Sequence, residues 1–308
     1  MPATHLVRAG LLRTCAVAAV AFAASASVSS AHVSAPPGET TVKQVEIRYQ
    51  ANGGRRRIAY VLLPGWYGAG NHPPIPLVIA PHGTGPGPFL ELARAWGNLA
   101  GRGSFAVVIP EGQGRELAHY SWGYPGQIDD LARMPGIVSR ALPWIRIDER
   151  RVYAVGGSMG GQETLLLVAR YPQLLAGAVA FDAPADIALR YEQFSRLGDG
   201  AFLRMLMRTE AGGTPDRNPD AYAERSPLHF ARAIAGAGVP LQIWWSTRDQ
   251  LVVDQQLHSG RLYSTIKQLN ANAPVAQVVG TWAHTAEMRW DRRLPDALRF
   301  LRLLPASS

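Results

Sequence analysis

At 308 residues with 47% apolar content, the chain is long enough to bury one large α/β core. Its formal charge of +8 rests on arginine, since Lys43 and Lys267 are the two lysines, and no basic block exceeds Arg55-Arg56-Arg57. Arginines dispersed among acids read as solvated surface, which excludes the charged stripe of a nucleic-acid binder, so no nucleic-acid partner is expected.

The first residues read as a targeting segment. Arg8 and Arg13 precede an apolar run from Ala16 to Ala24, followed by Ala24-Ser25-Ala26 and Ser29-Ser30-Ala31 as cleavage candidates, the layout of a secretory signal. The run is too short to span a bilayer. A signal peptide over 1–31, a flexible leader over 32–41 rich in Ser, Pro and Gly, and one folded domain over 42–308 are therefore expected. The product would be secreted or periplasmic, with no stable membrane span after cleavage. Cys15 lies before the apolar run, which argues against lipid attachment, and its removal would leave a chain without cysteine.

From Val42 the pattern becomes regular. Val42 to Tyr49 and Arg57 to Pro64, joined by Ala51-Asn52-Gly53-Gly54, read as an antiparallel hairpin. Pro76 to Pro81 is a continuous apolar run suited to a strand covered on both faces. A helical stretch to about Gly101, a strand from Phe105 to Pro110, a loop with Trp122 and Tyr124 and a helix from about Gln127 to Leu142 follow. The strand Val152 to Val155 leads into a helix from Gln162 to Tyr171, and another strand covers Ala176 to Phe181. The region 183–236 carries helical patches broken by Gly and Pro, longer than a simple crossover needs, and is expected to form a small helical cap insertion. Pro240 to Trp245, a helix from about Val253 to Leu269, Val275 to Val279 and a last helix from about Pro295 to Leu303 complete the chain. Buried strands alternating with helices predict an α/β fold with a mostly parallel central sheet flanked by helices.

One turn stands out chemically. Gly156-Gly157-Ser158-Met159-Gly160 joins a strand to a helix, and G-x-S-x-G in that setting marks a sharp turn that lifts a serine hydroxyl out of the sheet at a helix N-terminus. The pattern alone is weak; the strand before it and the apolar helix after it supply the context. A serine needs a base, and the base needs an acid to hold its tautomer. In the chain order serine, acid, histidine, Asp249 follows the strand ending at Trp245, and His284 follows the strand ending at Val279. Asp182, also at a strand end, is the rival acid. The Met159 N–H and the Thr84 N–H, in the loop after Pro81, are the expected oxyanion donors, with His82 structural. Trp122, Trp245 and Trp282, with Tyr124, lie near these motifs and are candidates for a substrate wall, against core packing as the plainer role. No histidine spacing suits a metal, and neither a P-loop nor a dinucleotide fingerprint is present, so no cofactor and no metal are expected.

The chain from about Pro76 to His284 resembles the α/β-hydrolase superfamily. The run from Ile147 to Gly161 is similar to secreted polyhydroxyalkanoate-depolymerase and feruloyl-esterase-like enzymes, and Ser226-Pro-Leu-His-Phe-Ala-Arg-Ala-Ile234 resembles the prolyl-oligopeptidase and dienelactone-hydrolase branches. One departure is Thr84, where the depolymerase-like branch usually carries a cysteine after His-Gly. The resemblance implies a secreted serine hydrolase acting on a small-molecule or polymeric ester. Peptidases of this kind commonly carry a large accessory domain ahead of the core, and about 45 residues separate the expected cleavage site from the strand before His82, which favours esters. A serine peptidase is the alternative, and a binding protein without catalysis comes third.

Overall fold

The computed structural model describes residues 40–306. The expected signal peptide and nearly all of the leader fall outside them. Among the described residues, no helix is long and apolar enough to cross a membrane.

One mixed sheet organises the domain. Its strands are β1 (Val42–Gln50), β2 (Arg56–Pro64), β3 (Ile75–Ile79), β4 (Ala106–Pro110), β5 (Ile147–Gly157), β6 (Gly177–Phe181), β7 (Leu241–Ser246) and β8 (Val275–Gly280). They lie in the order β1-β2-β4-β3-β5-β6-β7-β8. The first two form the antiparallel hairpin, Val42 opposite Pro64, and β2 runs antiparallel to β4. Every pairing from β4 to β8 is parallel. Strands β3, β4 and β6 are buried along their whole length, as their unbroken apolar runs require.

Alternation along the strands supplies two cores. Leu77, Ile79, Ala154 and Ile243 face the side covered by α3 (Pro125–Ala141), α4 (Met159–Arg170), α8 (Ala231–Gly236) and α9 (Ser259–Leu269). Val78, Ala80, Val155 and Trp244 face α1 (Pro86–Trp96), α2 (Leu99–Gly103) and α10 (Leu294–Phe300). The sequence predicts one helical stretch up to Gly101, whereas the helix breaks at Gly97, which has φ of 50° and the Trp290 ring where a Cβ would stand, 2.4 Å away.

Between β6 and β7 the chain forms α5 (Ile187–Gln193), α6 (Gly200–Ala211) and α7 (Pro219–Ala223) before α8. Ile187, Tyr191, Phe194, Met207, Ala211 and Tyr222 pack with Trp122 and Met159 in a third cluster, seating this insertion on the turn that carries Ser158. The buried Glu210 carboxylate accepts from the backbone N–H groups of Arg115, Glu116 and Leu117, binding α6 to the loop after β4.

The continuous helix predicted from Val253 to Leu269 is divided. A 3₁₀ turn over Gln255–Leu257 and then α9 are separated at His258, whose backbone (φ −104°, ψ −95°) leaves helical geometry. The cause is its side chain. Fully buried, the ring accepts at Nδ1 from the N–H groups of Ala185 and Asp186, both at 3.3 Å, and lies 2.8 Å from Gln193 Oε1 through Nε2. Two donors on Nδ1 define a neutral ring with its proton on Nε2. Burial pushes its pKa down to about 4, with the charge of Arg190 acting in the same direction.

A histidine lowered from about 6.5 binds fewer protons folded than unfolded between pH 4 and 6.5, so its contribution is present above that window and is lost as pH falls through it. We expect His258→Gln to be less stable than wild type at pH 7 by roughly 1–2 kcal/mol. That deficit should close or reverse by pH 4 in urea melts. Taking the difference isolates His258 from Glu163 and Asp182, whose raised pKa values act in the opposite sense. A deficit that stays constant from pH 7 to pH 4 contradicts the buried neutral ring.

Candidate active site

The end of β5 turns into α4 within one residue. Ser158 sits at φ 58°, ψ −126°, outside the favoured regions for a residue with a side chain, and is held there by its N–H bond to Phe181 O at 2.9 Å. Close backbone packing explains the flanking glycines. A Cβ on Gly156 would stand 2.3 Å from Gly160 O, and one on Gly160 would stand 2.1 Å from Pro81 O. The turn is thereby pressed onto the exit of β3, where Thr84 lies. Met159 is the first residue of α4, so its N–H has no intrahelical acceptor, and among the described residues neither it nor the Thr84 N–H has a partner. The Met159 side chain points into the protein, its Sδ 3.3 Å from the Trp122 N–H nitrogen.

At the ends of β7 and β8 the other predicted residues meet. His284 Nδ1 lies 2.7 Å from Asp249 Oδ2, and among the described residues its Nε2 has no hydrogen-bond partner. Asp249 also accepts from the N–H groups of Leu251 and Val252, both at 2.9 Å, and from Gln255 Nε2 at 3.1 Å. Burial pushes its carboxyl up, but the hydrogen bond and charge of His284, with the Gln255 and Leu251 donors, outweigh this and leave it below the ordinary value.

Asp182 is not bonded to His284. It is fully buried and accepts from Ser246 N (3.0 Å), Trp282 Nε1 (3.0 Å) and Thr285 N (2.7 Å), tying the ends of β6 and β7 to the loop that carries His284. Burial raises its pKa to about 6, with His284 and the Thr285 N–H pulling the other way. Ligand atoms of Asp182, Asp249 and His284 fall within 4.8 Å of one another. Their oxygens already accept from N–H donors that a cation would have to displace, so the trio suits holding a histidine better than holding a metal.

Ser158, His284 and Thr84 line one cleft of about 980 Å³. None of the three tryptophans forms its wall, which corrects that expectation. Trp122 is buried against Phe194 and Tyr120. Trp245 lies in the core and bonds Gln277 through Nε1. Trp282 packs on Trp244 and spends its Nε1–H on Asp182. The aromatic lining is instead Tyr120, Phe194 and Phe202, the last two from the insertion. Tyr124 is not part of it either. His82 is buried with its ring nitrogens 2.5 and 2.6 Å from the carbonyl oxygens of Gly83 and Glu111. Burial pushes its pKa down to about 4, while the two carbonyl oxygens, each an acceptor facing a ring nitrogen, pull the other way, and its ring shapes the loop before Thr84.

Sequence reasoning passed over Glu163, one turn beyond Met159. It is buried in α4, accepts from Ser121 Oγ, lies 3.5 Å from Gln127 Nε2, and is raised by burial to about 7. Its position on the buried face of a predicted helix was the available signal, because a carboxyl there needs donors.

Comparison with known proteins bears on the fold. The model of the prolyl oligopeptidase family matches residues 139–291. Over 109 residues the chain is 31% identical to poly(3-hydroxyalkanoate) depolymerase C of Paucimonas lemoignei, a match covering 33% of this chain and 26% of that one. The S-formylglutathione hydrolase of Staphylococcus aureus superposes with a TM-score of 0.62 at 16% identity, over 85% of this chain and 99% of the other. The acylaminoacyl peptidase of Pyrococcus horikoshii gives 0.62 at 15% identity, over 85% of this chain and 41% of that one. The match thus spans about a quarter of the depolymerase. The chain has the α/β-hydrolase fold, and its residues 139–291 match the prolyl oligopeptidase family.

Proposed function

We propose that the protein is a secreted serine hydrolase that cleaves carboxylic esters through an acyl-enzyme. The observation that carries this reading is a strained Ser158 sharing a cleft with His284, whose Nδ1 lies 2.7 Å from a buried Asp249 carboxylate. In this mechanism His284 Nε2 takes the Ser158 proton as Oγ attacks the acyl carbon. Asp249 accepts from Nδ1–H, which fixes the tautomer and stabilises the imidazolium. The N–H groups of Met159 and Thr84 receive the negative charge that forms on the carbonyl oxygen. The imidazolium then protonates the departing alkoxide, and water, activated by the same ring, releases the acid.

Esters are preferred because the depolymerase relative is named for a polyester, and the cleft is large enough for a drug-sized acyl or aryl group. The match to the prolyl oligopeptidase family supports the second reading, a serine peptidase. The insertion between β6 and β7 acts as a cap over the site, contributing Phe194 and Phe202 to its wall.

We expect a fluorophosphonate probe to label Ser158 stoichiometrically and Ser158→Ala or His284→Ala to lower kcat by at least ~10⁴-fold, the double variant being little worse. Asp249→Asn should cost on the order of 10⁴-fold, and Asp182→Asn less than ~10²-fold, because the first sets the tautomer and the second holds a loop. The reverse ranking transfers the acid role to Asp182.

Ester and peptide substrates separate the two readings. We expect kcat/KM for an activated short-chain or aryl ester to exceed that for any peptide anilide by at least ~10²-fold, about 2.7 kcal/mol in transition-state binding. Equal rates on both would promote the peptidase.

The secreted location rests on residues 1–31, read as a cleaved leader. N-terminal sequencing of exported protein is expected to begin after Ala26 or Ala31; a product starting near Met1 removes this part of the proposal.

A further inference from the structure

Arg190 is an unusual member of the cleft wall. It lies on α5 with 8% of its surface exposed, and it lines the same cleft as Ser158 and His284. Its guanidinium sits 4.4 Å from the centre of the Phe194 ring, and Nη1 donates to Leu251 O at 2.6 Å. That is one of five N–H bonds a guanidinium can make. No carboxylate among the described residues is ion-paired with it. Asp249, which acts on it at longer range, is already occupied by His284, Gln255 and two backbone N–H groups, and Asp199 is exposed.

A cation held in a buried setting without a counter-ion costs stability, and this cost persists in a fold when the missing anion arrives with a ligand. The other cleft arginines differ. Arg289 is exposed and paired with Asp291, and Arg94 is exposed. Arg190 alone of the three combines burial, an aromatic backing that holds the plane of its fork, and N–H groups left to bind a planar anion in two-pronged fashion. Burial lowers its pKa to about 10, with Asp249 and Asp199 acting the other way, so it remains charged at neutral pH.

We propose that Arg190 is a carboxylate receptor within the cleft, so that the preferred substrates are esters bearing a free carboxylate, such as half-esters of dicarboxylic acids or hydroxy-acid oligoesters ending in a carboxylate. This deepens the esterase reading and rests on it. A purely structural Arg190, clamping Leu251 O beside Asp249, would favour no substrate charge.

The test compares monoanionic 4-nitrophenyl esters of glutaric and adipic acid with their neutral methyl diesters, after correction for spontaneous hydrolysis. Wild type is expected to favour the anionic member of each pair by at least ~10-fold in kcat/KM, chiefly through KM, and the preference should shrink as salt is raised. Arg190→Gln should abolish the ratio and Arg190→Lys should restore part of it. If the glutamine variant does not fold, the wild-type ratio and its salt dependence decide the matter alone. Absence of an anionic preference in wild type, or a ratio unchanged in Arg190→Gln, overturns the receptor. Hydrolysis of neither member of any pair counts against the esterase reading instead.

Discussion

Backbone crowding around Ser158 is the constraint on which the site depends. With Gly160 pressed against Pro81 O and Gly156 against Gly160 O, three segments approach closely: the exit of β3, the end of β5 and the first turn of α4. A side chain at either glycine would force them apart. The same contact that strains Ser158 therefore also sets the distance between the loop carrying Thr84 and the N-terminus carrying Met159. Strain of this kind costs about 1–3 kcal/mol and persists where surrounding structure over-determines it. Here the fully buried strands on either side supply that determination.

The histidine side of the site is organised around two carboxylates with different tasks. Asp249 contacts the ring. Asp182 never does, yet it gathers N–H groups from Ser246, Trp282 and Thr285, which lie on both sides of His284 in the folded chain. Ser246 Oγ adds a bond to Trp282 O at 2.5 Å, and the Thr247 N–H adds one to Gly280 O at 2.8 Å. The loop after β8 is thus attached to its neighbour by several short polar contacts, most of them partly buried, where reduced local polarity strengthens each.

Much of this was legible in the residues. Unbroken apolar runs such as Gly177 to Phe181 and the strand-turn-helix setting of Ser158 are local signals, and local signals read well. The misreadings share one cause, which is that a side chain's destination depends on distant partners. His258 breaks a helix because Ala185, Asp186 and Gln193, some seventy residues earlier, hold its ring. Trp282 stands two residues from His284 and points to Asp182 rather than to the cleft, because an indole N–H in a buried place needs an acceptor. Glu163, Glu210 and Arg190 are charges that sequence patterning assigns to the surface, and each is buried against partners that no spacing rule reveals.

The ties on the insertion bear on how the cleft can change shape. Helix α5 is secured from below by the His258 ring against Gln193 and by Arg190 against Leu251 O, and α6 is secured at its far end by Glu210 against the loop at 115–117. Swinging this wall outward as a rigid body would break buried bonds at both ends together. The stretch between them, from Phe194 to Asp199, is anchored at its start by the buried Phe194 and further on by one exposed ion pair, Arg196 to Asp254 at 2.6 Å, and includes exposed residues at Ser195, Gly198 and Asp199. A bulky ligand therefore meets a gate with fixed posts and a compliant crosspiece, and the largest group admitted is governed by how far that crosspiece bows.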